Sequence, residues 1–84
     1  METLIGTVTH YYRRISVAVV ELSAELKVGD PILLLGHTTD FTQEVTSLEI
    51  EHQKIRSAGP GGEVALKVDE EVRRGDLVYK VQVD

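Results

Sequence analysis

The chain has 84 residues, of which 42% are hydrophobic and 27% charged, with a formal net charge of −5 and no cysteine. That length holds one domain, residues 1–84, and the missing cysteines remove disulfide frameworks and thiolate metal sites. The negative balance argues against wholesale binding to DNA or RNA, so any phosphate contact has to come from a local basic patch.

No apolar run approaches the roughly 20 residues that span a bilayer. The opening METLIGTV lacks the basic start and long apolar centre of a signal peptide. The expectation is a cytoplasmic protein with no membrane partner.

In chain order the hydrophobic period is two almost everywhere, which is the strand signal. Leu4, Gly6 and Val8 alternate with Ile5, Thr7 and Thr9. Ile15 to Leu22 is rich in β-branched residues and apolar on both faces, as interior strands are. Ser23 to Val28 has room for one helical turn only. Gly29-Asp30 marks a reversal, Pro31 can head the next strand, and Ile32 to Leu35 form its body.

Between Val45 and Leu48 the step is three, whereas Leu48, Ile50 and His52 keep a step of two. One extra residue near Thr46-Ser47 predicts a bulge or sharp bend. After Gly59-Pro60-Gly61-Gly62, the run Val64, Leu66, Val68 alternates with polar neighbours. Following Gly75-Asp76, Leu77, Tyr79, Val81 and Val83 do the same.

About six strands at this spacing predict an all-β barrel or sandwich. The predicted core is Val8, Val17, Val19, Leu26, Ile32, Leu34, Val45, Leu48, Ile50, Val64, Leu66, Val68, Leu77 and Val78. Lys27 to Ile32 and Arg73 to Val78 share a basic residue, Gly-Asp and then a strand, which reads as one turn solution used twice.

The order Leu26-Lys27-Val28-Gly29-Asp30, Ile32, Ala58, Val64-Ala65-Leu66 and Arg74-Gly75-Asp76 resembles domain two of the translational GTPases of the elongation factor Tu type. Residues 4 to 81 carry the resemblance, and it implies a small six-stranded Greek-key β-barrel. The chain more closely resembles the stand-alone translation elongation factor-like proteins. It also resembles the barrel at the C-terminus of collagenase-like peptidases, some of which are implicated in tRNA and rRNA modification. The motifs concerned are Gly36 with Phe41-Thr42-Gln43, and Ala58-Gly59-Pro60. Gly29, Asp30, Gly36, Phe41, Gln43, Ala58, Gly75 and Asp76 are then the signature positions.

Two departures limit what is inherited. Ser23-Ala24-Glu25 stands where the GTPases have a hairpin Gly. AGPGGEVAL has glycines without the Lys and Ser/Thr of a phosphate-binding loop. Neither nucleotide hydrolysis nor protease chemistry is implied for this chain.

Among candidate sites, Tyr11, Tyr12, Arg13 and Arg14 place aromatic rings beside guanidinium groups. Rings stack on unpaired bases and arginines pair with phosphates, the chemistry of single-stranded RNA binding. The plainer reading is a hairpin loop with one tyrosine packed inward and the arginines solvated. Lys54, Arg56, Arg73 and Arg74 are secondary basic candidates. His10, His37, His52 and Asp40 lack the spacing of a metal site, and no serine has a recognisable base and acid in support.

Two functions follow. The first is a non-catalytic module without cofactor that assists translation or RNA processing by binding tRNA, rRNA or the ribosome. The alternative is a protein-interaction adaptor docking on a separately encoded peptidase-like or RNA-modifying enzyme.

Overall fold

The period-two pattern becomes strands throughout. The computed structural model describes residues 1–82, with no helix among them, and Val83 of the last expected alternation lies outside the described residues. Ten strands form in place of the expected six. They are β1 (Glu2–Tyr12), β2 (Val17–Leu22), β3 (Leu26–Lys27), β4 (Pro31–Leu35), β5 (Asp40–Glu44), β6 (Leu48–Ile50), β7 (Gln53–Ile55), β8 (Ser57–Ala58), β9 (Glu63–Lys67) and β10 (Leu77–Val81). Eight make one antiparallel sheet in the order β5-β4-β10-β1-β2-β9-β6-β7, and β3 pairs with β8. The ladder is open between β5 and β7, so backbone pairing does not close the sheet into the expected six-stranded Greek-key barrel.

A side chain bridges part of that opening. Gln43 on β5 is 8% exposed. Its amide Nε2 donates to Lys67 O at 2.9 Å, and its Oε1 accepts from Asp69 N at 2.7 Å. One donor and one acceptor on a planar amide reproduce what a backbone residue offers a neighbouring strand. The signature glutamine thus joins β5 to the end of β9 where no ladder does.

The echoed turns are the same structure twice. Gly29 and Gly75 have φ of 97° and 95°, a conformation that only glycine adopts without strain. Asp30 Oδ2 accepts from Lys27 N at 2.9 Å, and Asp76 Oδ2 from Arg73 N at 2.8 Å. Gly29 N donates to Val45 O while Val45 N donates to Asp30 O; Gly75 N and Val8 N repeat this with Val8 O and Asp76 O. The strands that follow, β4 and β10, pair antiparallel with Leu33 opposite Tyr79. Two like turns feeding two antiparallel neighbours relate these halves by a local twofold through that pair.

The first turn also holds an ion pair, Lys80 Nζ to Asp30 Oδ2 at 3.2 Å. The second holds a tighter packing. Asp76 is 5% exposed, accepts the Thr39 hydroxyl at 2.5 Å, and lies against Gly36, where an added Cβ would overlap the Asp76 carboxylate.

Most of the expected core is buried: Val8, Leu26, Ile32, Leu34, Val45, Leu48, Val64, Leu66, Val68 and Val78, joined by Ile5, Ala18, Val20, Leu22, Phe41 and Val72. Each fully buried aliphatic side chain of this size contributes about 1.5–3 kcal/mol. Four expected core residues are not buried. Val17 and Val19 lie half-buried on the outer face of β2, because Ala18 and Val20 take the inner face opposite Leu66 and Val64. Leu77 is half-buried on the outer face of β10, beside inward Val78. Ile50 is 38% exposed because β9 pairs β6 only at Leu48 and Glu49.

In β1 the alternation breaks twice, with register shifts between Leu4 and Gly6 and between Val8 and His10. Such bulges bend a strand. They bury Ile5 and leave Leu4 47% exposed. At Gly6 an added Cβ would come within 2.7 Å of Val20 Cγ1 and 2.8 Å of Glu21 O, so the bent strand crosses β2 too closely for a side chain. The slip between Val45 and Leu48 is no bulge. Both residues are buried, and the non-strand link Val45 to Ser47 carries the chain from β5 to β6, beside β9.

Candidate docking surfaces

With the core on the inner face, the outer-face residues are those free to meet a ligand or partner. The register sets them in rows across strands. On one side of the sheet, His10 faces Val19, Val19 faces Ala65, and Ala65 faces Glu49; the next row joins Tyr12, Val17 and Lys67. Ala65 is small between larger neighbours, so the rows leave a depression. Two adjoining cavities of about 410 and 620 Å³ share Tyr12, Glu49, His52 and Ala65 as lining. Apolar side chains floor the groove, with Ile15 57% and Tyr12 49% exposed.

The groove's rim is polar. Glu49, Glu51 and Glu63 line it with His52 and a single ammonium, Lys67. Glu63 Oε2 accepts the Thr9 hydroxyl at 2.9 Å. The His10 and Tyr12 rings stand 4.4 Å apart at 54°, which fixes the tyrosine over the groove. Glu51 and His52 form the two-residue β6–β7 turn with φ of 50° and 66°. Hairpins of this length favour such angles, but asparagine and glycine adopt them at far lower cost.

A second surface lies at the sheet's centre. Leu4 faces Tyr79 and Tyr79 faces Leu33; beside them Thr7 faces Leu77 and Leu77 faces Leu35. Leu4 is 47% and Leu35 37% exposed, while Tyr79, Leu33 and Leu77 are half-buried. These five make a flat apolar strip over β1, β10 and β4.

The expected RNA-contact residues fall on different parts of the surface. Tyr12 lines the groove, but Tyr11 lies on the opposite face of β1 and packs against the core. Arg13 and Arg14 sit in the β1–β2 turn, Lys54 on β7, Arg56 in the bend before β8, and Arg73-Arg74 before β10. Neither cavity is lined by any of these six basic residues. Of the groove residues, the sequence placed Val17 and Val19 in the core, offered His52 only as a metal ligand to be set aside, and did not mark Ala65 as a site. The signal available was a strand apolar on both faces, which hides which face is inside. Among the described residues no His, Cys, Asp or Glu group is arranged to hold a metal ion. Nor is any helix long and apolar enough to cross a membrane.

No family model matches the chain. It is 43% identical over 76 residues to an uncharacterized protease of Methanocaldococcus jannaschii, an alignment covering 89% of this chain and 19% of that protein. It is 35% identical over 81 residues to a collagenase of Porphyromonas gingivalis, covering 94% of this chain and 22% of the collagenase. The chain thus spans about a fifth of the length of these curated relatives. Its fold matches the crystal structure of the C-terminal domain of a putative U32 peptidase from Geobacillus thermoleovorans. The TM-score is 0.88, with 22% identity over 93% of this chain and 99% of that one.

These relatives correct the functional expectation. They are named as proteases and collagenases, not as translation factors. The elongation factor-like assignment falls, and with it the binding of tRNA, rRNA or ribosome; the collagenase-like half of the resemblance holds. The chain is a homologue of one segment of collagenase-like proteins, and its fold is that of a U32 peptidase C-terminal domain.

Proposed function

We propose that this chain is a non-catalytic docking module that seats on a peptidase-like catalytic domain. One observation carries the reading: the homology covers 19–22% of proteins named as proteases, so most of each relative lies outside the shared segment. The apolar strip of Leu4, Leu33, Leu35, Leu77 and Tyr79 supports it, because a flat patch without charge is what the centre of a lasting interface requires.

The test pairs this chain with the M. jannaschii relative shortened by its homologous segment. Calorimetry should find one-to-one binding, and Leu4→Lys with Leu35→Lys should weaken it at least about tenfold. No heat of binding, or binding indifferent to both lysines, refutes the docking. Peptide hydrolysis by the purified chain alone would overturn its non-catalytic part.

A further inference from the structure

The groove lies on a different stretch of the sheet from the apolar strip and raises a separate question. Its floor is apolar, and its lining holds Glu49, Glu51 and Glu63 against Lys67; with Lys54 across from Glu49 on β7 counted as well, the local charge is −1 with histidine neutral. Among the described residues none of these three carboxylates takes part in an ion pair. A depression of this size takes several side chains of a ligand.

We propose that the groove receives a short polypeptide segment that alternates apolar side chains with lysine or arginine. The apolar side chains would lie over Val17, Val19 and Ala65, replacing water on a floor that β2 and β9 leave uncovered. The cationic side chains would reach the three rim carboxylates and the exposed face of Tyr12, whose ring attracts a cation electrostatically. An acidic segment is excluded by the same rim, since like charges brought together cost affinity. The strained Glu51–His52 turn is consistent with this role: the angles favour other residues, and these two put a carboxylate and an imidazole on the rim.

The test uses isotope-labelled full chain and two synthetic peptides, one of leucine, serine and lysine and the other with glutamate in place of lysine. The basic peptide should give saturable amide shifts at Tyr12, Val19 and Ala65 below about 1 mM, a weak-binding regime. The acidic peptide should bind at least about tenfold more weakly. Replacing the rim by Glu49→Gln, Glu51→Gln and Glu63→Gln should cost the basic peptide about tenfold, while the unperturbed spectrum confirms the fold. Ala65→Trp, which fills the depression without touching the core, should abolish the saturable shifts. The proposal is overturned by absent shifts, by shifts centred on Leu4 and Tyr79, or by equal response to both peptides. None of these outcomes bears on docking through the apolar strip, which the calorimetry above decides.

Discussion

Gln43 makes the sharpest prediction, because a single side chain stands in for a missing stretch of ladder. Gln43→Met keeps the length and apolar volume but removes both bonds to the β9 end, Lys67 O at 2.9 Å and Asp69 N at 2.7 Å. Each net hydrogen bond contributes about 1 kcal/mol, and Lys67 and Asp69 are exposed, so their freed backbone groups can turn to water. The expected loss is about 1–3 kcal/mol, lowering Tm by roughly 5–20 °C for a domain of this size. Urea denaturation measures it, with the slope unchanged if only the folded state is affected.

Hydrogen exchange locates it: the Asp69 amide should lose protection before the amides of β1 and β2 do. Gln43→Glu adds a pH signature. Its carboxylate would face Lys67 O, an acceptor, so only the protonated acid can donate there. The folded-state pKa of the introduced carboxyl is therefore raised. The stabilisation it gives is complete below the unfolded pKa of about 4.3 and is lost as pH rises through the folded value. A loss under about 0.5 kcal/mol in Gln43→Met, with Asp69 protection intact, refutes the bridging role.

Gly36→Ala should cost about 2–4 kcal/mol in chemical denaturation, because the new methyl displaces Asp76 from Thr39 and the Arg73 amide. Gly29→Ala and Gly75→Ala meet no atom within 4 Å, so each should lose only the positive-φ cost of about 1–2 kcal/mol. Unequal losses beyond experimental error would break the equivalence of the two turns. In the β6–β7 turn, Glu51→Asn with His52→Gly should raise Tm, gaining about 1 kcal/mol or more by relieving two unfavourable φ values. A fall in Tm would show that these side chains hold the hairpin in ways the backbone does not reveal.

Much of this architecture is written locally. Gly29-Asp30 and Gly75-Asp76 are turns because the glycine supplies the positive φ and the aspartate caps the residue three earlier. That information lies within six residues and was legible twice. Alternation placed Val64 and Leu66 on the inside because Glu63, Ala65 and Lys67 mark the other face, whereas in β4 Leu33 and Leu35 give the outer face no such mark. The likeness to collagenase-like proteins was likewise readable in Gly36 with Phe41-Thr42-Gln43 and in Ala58-Gly59-Pro60, and homology bears it out, whereas the order of the turns pointed to elongation factors, which the relatives do not support.

What failed were statements that need a second strand. In β2 the apolar run offers no phase, and only pairing with β1 and β9 turns Ala18 and Val20 inward and Val17 and Val19 outward. The groove exists because of that choice, since Val19 and Ala65 meet only through register. Ile50 obeys its strand's alternation yet stays exposed, because β9 ends its pairing before reaching it. Sequence alone determined the turns, the strand character and the collagenase-like half of this protein's kinship. Which faces pack inward, how a glutamine spans the open ladder and where a groove forms were decided by tertiary pairing, because each depends on residues far apart in the chain.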